Sequence, residues 1–309
     1  MLRPQPRSFQ RRRKIRRRHD PSDCYQTVSE NKPQIGVCSW SLGPRSPRHL
    51  AESVLGSGLE AVQLALVPVV TDTAVWGSAV EVLQNAGIRV VSGMLAMAGE
   101  DYSTLESIRR SGGVRPDATW PENLRLARAV AGAAGDAGID MVTLHAGFLD
   151  ERKDDPTRLA MLDRLRTLAD VFAAHDVDIA LETGQESAVT LLDVLDELDR
   201  PAVGVNFDPA NMILYGMGDP VEAIERLLPW VAQVHVKDAV GTVRPGTWGR
   251  EVPAGHGVVD WAALFNAAVR IEPPVNFIIE RESGTERRGD IAAARSLIET
   301  GLAATGCVP

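Results

Sequence analysis

The stretch DIALETGQESAVTLLDVLDELDRPAVGVNFDPAN, residues 178–211, decides the fold. It holds two short apolar runs, DIALET (178–183) and VGVNFD (203–208), on either side of a segment whose leucines and valines recur with helical spacing. A strand, a helix and a second strand in this order predict a β-α-β unit with parallel strands. The rest of the chain can be read outward from this unit.

The same alternation of short apolar runs and longer amphipathic segments continues in both directions from residue 34 onward. With the two runs already quoted there are eight strand candidates, the others being IGVCSW (35–40), AVQLAL (61–66), IRVVSGML (88–95), DMVTLHA (140–146), AQVHVKD (232–238) and NFIIERE (276–282). Several helices between them begin with a capping residue followed by proline, as at Ser46-Pro47, Asp155-Pro156 and Asp219-Pro220. Eight β-then-α units in one chain predict a single-domain α/β protein, a (β/α)8 TIM barrel, with an interior of Val, Ile and Leu.

A doubly wound open sheet is the competing architecture. If such a sheet bound a dinucleotide or a nucleoside triphosphate, a glycine-rich first turn would be expected. The sequence contains neither GxGxxG nor GxxxxGK[ST]. The closed barrel is therefore favoured.

Composition places the chain among ordinary globular proteins. It has 309 residues, of which 44% are hydrophobic and 24% are charged. Its three cysteines include no CxxC pair, which argues against a disulfide framework or a structural zinc site and favours a reducing compartment. No apolar run reaches the roughly 18 residues that a membrane helix requires. We expect a soluble, cytoplasmic protein without a membrane partner, and a homo-oligomer is compatible with the sequence.

The charge is distributed unevenly. Nine of the 33 Lys and Arg residues lie in the first 19 positions, which contain no acidic residue, so the remaining chain has 24 basic residues against 41 acidic ones. We interpret residues 1–33 as a basic, disordered extension, with an RNA-, DNA- or surface-binding arm as the alternative. Residues 34–309 form the predicted barrel. Its acidity repels phosphate backbones, so a nucleic-acid partner is not expected for the barrel.

Four metal-binding side chains lie at the carboxyl ends of the last four predicted strands. They are Glu182 in ALETG, Asp208 in VNFDPAN, His235 in QVHVKD and Glu280 in FIIERE. In a parallel barrel these strand ends meet at one mouth, where active sites are built. Each residue alone has an ordinary explanation, as an ion-paired strand end, a turn cap or a core histidine, but four equivalent positions on successive strands favour a shared metal site.

Three carboxylates and one imidazole form an oxygen-rich ligand set. Such a set favours six-coordinate ions over a closed tetrahedral zinc site. We therefore expect one divalent cofactor ion, manganese first, with magnesium, cobalt or zinc as alternatives. Four protein ligands leave two positions for adjacent oxygens of a sugar.

At this point the sequence resembles the xylose isomerase-like TIM-barrel superfamily of sugar isomerases and epimerases. The resemblance covers about residues 34 to 303 and rests on the Glu, Asp, His, Glu series, on GLEAVQ (58–63), on His145 in TLHAG and on GHGVVDW (255–261). It implies that Glu182, Asp208, His235 and Glu280 bind one divalent ion. It also implies that the two glutamates are catalytic and exchange substrate protons.

The resemblance implies a metal-dependent isomerase or epimerase that acts on a small ketose or related sugar. A metal bound to a carbonyl and the adjacent hydroxyl stabilises a cis-enediolate, and two carboxylates on opposite faces move the proton. Loss of a hydroxyl from the same intermediate makes a dehydratase or lyase the alternative. A sugar-binding barrel without turnover is the non-enzyme alternative. An endonuclease IV-like phosphodiesterase is not expected, because it needs more histidines than the six present. A serine hydrolase is not supported, because the sequence contains no GxSxG motif.

The sequence departs from the ketose epimerases near the metal ligands. Three residues after the aspartate those enzymes carry a substrate-contacting histidine, and this chain has Asn211, which forms hydrogen bonds but does not shuttle protons. The position of their substrate-contacting arginine falls at Gly241. Arg244 and Arg250 in the same loop are the candidate replacements.

Four further side chains are candidates for substrate contact. His145 ends the fourth predicted strand and faces the mouth, a core histidine being the alternative. Lys237 follows the metal histidine and would bind a substrate oxyanion or form a surface ion pair. Trp40 would stack on a sugar ring or pack in the core. Trp248 would close over the mouth or anchor its loop.

Overall fold

The computed structural model describes residues 32–244 and 246–307. The predicted basic extension, residues 1–33, lies outside this part of the chain except for its last two residues. Within the described ranges no helix has both the length and the apolar character needed to cross a membrane.

Eight parallel strands close into a barrel, as the sequence predicts. They are β1 (Ile35–Cys38), β2 (Ala61–Ala65), β3 (Arg89–Met94), β4 (Met141–Leu144), β5 (Asp178–Glu182), β6 (Val203–Phe207), β7 (Val231–Val236) and β10 (Asn276–Ile279). Their order around the barrel is β1-β10-β7-β6-β5-β4-β3-β2. The first and last strands close the cylinder, with Val37 paired to Ile279 and to Val62 on its two sides.

Helices surround the barrel and connect its strands. They are α1 (Pro47–Gly56), α2 (Val67–Thr71), α3 (Thr73–Trp76), α4 (Ala79–Asn85), α5 (Leu105–Ser111), α6 (Trp120–Asp136), α7 (Pro156–Ala173), α8 (Ala188–Leu198), α9 (Pro209–Tyr215), α10 (Pro220–Leu227), α11 (Trp261–Ala268) and α12 (Arg287–Ala304). The predicted capping residues Ser46, Asp155 and Asp219 each accept a hydrogen bond from a backbone amide of the first turn.

The aliphatic core lies mainly between the barrel and its helices. Phe172 of α7 and Leu195 of α8 are buried there, together with the outward-facing residues of the strands, such as Ile179. Burying this apolar surface is the dominant favourable term in holding helices against strands.

The barrel interior below the mouth is polar, which corrects the expectation of a Val, Ile and Leu filling. Gln63, Ser92, Asn206, Gln233 and His235 are fully buried there. Ser92 Oγ donates to Gln233 Oε1 at 2.7 Å, and Gln233 Nε2 donates to Asn206 Oδ1 at 3.1 Å. The first bond crosses the barrel from β3 to β7 and the second joins the neighbouring strands β7 and β6, so the buried polar groups satisfy one another.

A two-stranded antiparallel sheet, β8 (Asp238–Val240) and β9 (Arg250–Val252), follows β7 and was not expected from the sequence. The Asp238 carboxylate organises the segment after it. This carboxylate accepts from the backbone amides of Gly255 and Gly257 at 2.9 and 3.1 Å and from Trp261 Nε1 at 3.0 Å. Asp238 therefore holds the loop after β9.

Candidate metal centre and active site

The four predicted metal ligands meet at the carboxyl end of the barrel. Glu182 is the last residue of β5, His235 lies on β7, and Asp208 and Glu280 directly follow β6 and β10. Each offers one ligand atom, and these four atoms all lie within 4.8 Å of one another. All four side chains are buried. The strand ends therefore bring together a compact set of three carboxylates and one imidazole.

Asp208 has both roles that the sequence leaves open. Its Oδ1 accepts a hydrogen bond of 2.9 Å from the Asn211 backbone amide and so caps α9. Its Oδ2 is buried and has no hydrogen-bond partner in the structure. Burial raises the pKa of this carboxyl to about 6, against the opposing effect of the Lys237 charge. One oxygen of Asp208 is structural, and the other is free for a ligand.

The imidazole of His235 has a fixed orientation. Gln63 Nε2 faces the backbone carbonyl of Gly93 at 3.4 Å and Thr143 Oγ1 at 2.8 Å, so Gln63 Oε1 points to His235 Nε2, 2.7 Å away. An amide oxygen only accepts, so Nε2 carries a proton, and Nδ1 is the nitrogen that can offer a lone pair to a metal ion. Asn206 Nδ2 also lies 3.1 Å from this Nε2. That Nδ1 is buried and without a hydrogen-bond partner.

His235 Nδ1 faces the three carboxylates. It lies 3.3 Å from Glu280 Oε2, 3.6 Å from Asp208 Oδ2 and 3.8 Å from Glu182 Oε1. A lone pair and an unpartnered carboxylate oxygen that face the same small volume suit a cation at its centre. These residues fit a divalent ion, and the predominance of oxygen ligands suits Mn²⁺, Mg²⁺ or Co²⁺.

Glu280 is held in its ionised form by its neighbours. Lys237 Nζ lies 3.0 Å from Glu280 Oε2, and Trp40 Nε1 donates to Glu280 Oε1 at 2.7 Å. Burial alone raises the pKa of this carboxyl, but the charge of Lys237 holds it well below its usual range. Lys237 is 4% exposed, so it is a buried ion-pair partner and not part of a surface pair.

Glu182 is fixed from the opposite side by two asparagines. Asn206 Nδ2 donates to Glu182 Oε2 at 3.1 Å, and Asn211 Nδ2 donates to Glu182 Oε1 at 2.8 Å. His145 Nε2 lies 3.7 Å from the same Oε1. Asn211 therefore fixes the carboxylate of Glu182 by a hydrogen bond.

A cavity of about 760 Å³ opens above these four residues. Glu182, Glu280 and the predicted substrate contacts Trp40, His145, Asn211, Lys237 and Trp248 lie in its wall. Other lining residues are not predicted from the sequence, among them Glu100, Tyr102, Tyr215, Glu251 and Glu282. Tyr215 and Trp248 pack edge to face with ring centroids 4.9 Å apart, so the loop after β8 forms part of the wall.

Arg244 is not brought to this cavity. It is exposed, and it is absent from the residues that line the cavity. Its backbone carbonyl accepts from Thr242 Oγ1 at 3.1 Å and from Thr247 Oγ1 at 2.7 Å. Arg250, the other candidate of this loop, is exposed at the start of β9 and is also absent from the lining residues.

Comparisons with known proteins agree with this architecture. The family model described as xylose isomerase-like TIM barrel matches residues 55–300. The crystal structure of a xylose isomerase domain protein from Planctomyces limnophilus is 30% identical, with a TM-score of 0.77 over 82% of this chain and 93% of that one. D-allulose 3-epimerase from Methylomonas sp., solved with D-allulose, shares the fold at 16% identity, with a TM-score of 0.66 over 87% of this chain and 97% of that one.

A curated relative matches over a shorter span. The 3-oxo-isoapionate decarboxylase of Pectobacterium atrosepticum is 30% identical over 129 residues, which are 40% of this chain and 46% of that enzyme. The chain thus matches less than half the length of this relative. The family model covers most of the chain and agrees with the closed barrel, so the chain belongs to the xylose isomerase-like TIM-barrel family.

Proposed function

We propose that the protein is a divalent-metal-dependent isomerase or epimerase that moves a proton next to the carbonyl of a small polyhydroxy substrate. The observation that carries this proposal is the convergence of Glu182, Asp208, His235 and Glu280, whose ligand atoms lie within 4.8 Å of one another. Three buried carboxylates so close together are costly without a cation. Lys237 offsets only part of that charge.

The proposed cofactor is one Mn²⁺-like ion held by these four side chains. When bound, such an ion supplies Lewis acidity, which polarises a carbonyl and acidifies the proton on the neighbouring carbon. Asp208 Oδ2 and His235 Nδ1 are the two ligand atoms without a partner in the protein. Gln63 keeps the proton of His235 on Nε2, away from the ion.

Glu182 and Glu280 are the proposed acid–base pair. They come from β5 and β10, which are separated around the barrel by β6 and β7, so they approach the ligand cluster from different sides. Lys237 and Trp40 keep Glu280 ionised and oriented as a base. Glu182 is anchored by Asn206 and Asn211. One carboxylate removes the carbon-bound proton, and the other returns a proton to the opposite face or to the neighbouring carbon.

The cavity wall supports a small polyol-type substrate. Trp40, Tyr102 and Tyr215 give it aromatic faces, which pack against the apolar side of a sugar ring. The proposed polar contacts are His145 and Lys237, which reach into the same space. The buried ammonium group of Lys237 also suits an oxyanion on the substrate.

A lyase is the second candidate, and one observation favours it. The 30% identical relative from Pectobacterium atrosepticum is a decarboxylase, and the buried cation Lys237 would orient a substrate carboxylate. Removal of a proton, a hydroxyl or carbon dioxide requires the same polarised carbonyl. The reaction products distinguish these outcomes.

Deuterium exchange tests the proposal. The manganese-loaded protein is incubated in D2O with a panel of free and phosphorylated ketoses, and the products are analysed by NMR and mass spectrometry. Carbon-bound deuterium without loss of water or carbon dioxide supports an isomerase or epimerase, and an unsaturated or shortened product supports the lyase. We expect Glu182→Gln and Glu280→Gln to abolish exchange.

The control is Glu52→Gln, which removes an exposed carboxylate of α1 far from the mouth and is expected to leave exchange unchanged. Full exchange in Glu182→Gln would contradict the assignment of the acid–base pair. Saturable sugar binding without any turnover across the panel would instead favour the barrel that only binds sugar.

A further inference from the structure

A second cavity, of about 460 Å³, opens at the same end of the barrel as the metal centre. Its walls come from α5 and the segment after it, from the loop after β4, and from the segment that joins β5 to α8. Phe148 in its wall packs edge to face against Tyr215 of the first cavity, with ring centroids 5.4 Å apart. The two cavities are therefore neighbours. We call the second one the arginine pocket.

Two arginines of the arginine pocket have no carboxylate partner. The Arg109 guanidinium lies over the Phe148 ring, 5.0 Å from its centroid, and Arg115 Nη1 donates to the Phe148 carbonyl at 3.2 Å. Within residues 32–244 and 246–307, neither arginine forms an ion pair. Both charges meet at Phe148, so they lie on one side of the pocket.

The third arginine of the pocket is neutralised. Arg152 Nε lies 3.2 Å from Asp150 Oδ1, and Arg152 Nη2 lies 2.9 Å from Asp155 Oδ2. The acidic Asp150 is therefore already paired, and Glu151 is exposed. The charge that remains available inside the pocket is that of Arg109 and Arg115.

A buried carboxyl also lines this pocket. Glu186 is 5% exposed and lines the pocket beside the buried Gln185. In the part of the chain that the structure covers, the Glu186 carboxyl forms no hydrogen bond or ion pair. Burial raises its pKa to about 8, so the group is mostly protonated at pH 7 and can donate a hydrogen bond.

We propose that the arginine pocket binds an anionic group, a carboxylate or a phosphate monoester, whose oxygens accept hydrogen bonds from Arg109 and Arg115. Planar guanidinium groups are the preferred partners of such oxygens. The pocket also lies at the start of α8, where Ser187 and Thr190 line it and the helix dipole favours negative charge. This inference does not depend on the metal chemistry.

Two sources of the anion fit this chemistry: the charged end of the substrate at the metal centre, or a separate small anion. Ionisation of Glu186 is expected to weaken the binding of either one, because it adds a negative charge to the same pocket. The other charged groups that line the pocket are Arg109, Arg115, Asp150, Glu151 and Arg152.

Sulfate is the probe, because its charge is constant from pH 6 to 9. Binding to the metal-loaded protein is measured by calorimetry at pH 7 and pH 9. We expect the double variant Arg109→Gln, Arg115→Gln to weaken sulfate at least tenfold at pH 7. Arg110→Gln is the matched control, because Arg110 is exposed, neighbours Arg109 and pairs with Glu106 outside the pocket.

The pH arm tests Glu186 itself. Wild-type affinity for sulfate is expected to fall at least threefold from pH 7 to pH 9, and Glu186→Gln is expected to remove that fall. Equal sulfate binding by wild type and the double arginine variant would overturn the proposal, as would an equal loss in Arg110→Gln. Circular dichroism and Mn²⁺ binding show whether each variant is folded.

Two further experiments distinguish the two sources of the anion and test whether anion binding depends on the metal site. If sulfate competes with a substrate that the enzyme converts, the pocket binds the charged end of that substrate. If sulfate binds without competition, the pocket binds a separate anion. Asp208→Asn, which removes a metal ligand, is expected to keep sulfate binding. A failure of the proposed metal chemistry would therefore leave this result intact.

Discussion

Replacing Glu186 with glutamine should stabilise the protein increasingly as pH rises. Burial raises the pKa of Glu186 from 4.5 to about 8. Between these two pH values the folded protein holds a proton that the unfolded chain has lost, so rising pH favours unfolding. Below pH 4.5 both states are protonated and nothing is lost, and above pH 8 the loss is complete. Glutamine has nearly the same shape and does not titrate.

The magnitude follows from the distance between the two pKa values. Each pH unit in this window is worth about 1.4 kcal/mol, so the full span of the raised pKa corresponds to about 5 kcal/mol. Between pH 5.5 and pH 7.5 the free energy of unfolding of the wild type should fall by roughly 2 to 3 kcal/mol relative to Glu186→Gln. The side chain is 5% exposed, so solvent does not screen this effect.

Urea denaturation followed by circular dichroism at pH 5.5, 6.5, 7.5 and 8.5 measures the difference, with the same saturating manganese concentration for both proteins. Glu151→Gln is the control, because Glu151 lines the same pocket but is exposed. A difference between wild type and Glu186→Gln that stays constant across this range would refute the reasoning. It would mean that Glu186 is ionised and stabilised in the folded protein.

Two other substitutions test the metal centre, and a third tests the packing of Gly184 against Asn211. Gln63→Leu removes the acceptor that fixes the metal-site imidazole and should weaken manganese binding roughly 10- to 100-fold in a calorimetric titration. Lys237→Met removes the cation beside Glu280, so the pKa of that carboxyl rises and the acid limb of the pH–rate profile should move at least one unit upward. Gly184→Ala places a methyl group 2.4 Å from Asn211 Cβ at a backbone φ of +135° and should destabilise the fold by at least about 2 kcal/mol in thermal denaturation. Unchanged manganese affinity in Gln63→Leu, an unchanged pH–rate profile in Lys237→Met or an unchanged melting temperature in Gly184→Ala would contradict the corresponding prediction.

The barrel strands are predictable because their signals are local. In the stretch that contains β5 and β6, the apolar runs, the helical spacing between them and the acidic residues at the strand ends all lie within about one β-α-β unit. The parallel order then places the ends of different strands at one mouth. Glu182, Asp208, His235 and Glu280 can therefore be selected from the sequence without a contact map.

The supporting contacts are not predictable in this way, because they join distant parts of the chain. Gln63 and His235 are 172 residues apart, and Trp40 and Glu280 are 240 residues apart. A glutamine in a strand or a tryptophan after one carries no sign of its partner. The polar interior of the barrel follows from such pairs, and it replaces the aliphatic filling that the fold class suggests.

Side chains in loops could not be placed from the sequence, for a different reason. Arg244 lies in the segment between β8 and β9, and its side chain direction depends on a turn in which Thr242 and Thr247 bond to its carbonyl. The antiparallel pairing of β8 with β9 fixes the ends of that segment. Spacing from the metal histidine therefore does not determine where the arginine lies.

A titration with Mn²⁺, followed by the electron paramagnetic resonance signal of the free ion, tests the central claim most directly. The shared site of Glu182, Asp208, His235 and Glu280 predicts one tightly bound ion per chain in the wild type and loss of that binding in Asp208→Asn. Wild-type protein that leaves all added Mn²⁺ free, or an Asp208→Asn variant that binds it as tightly as the wild type, would contradict the claim.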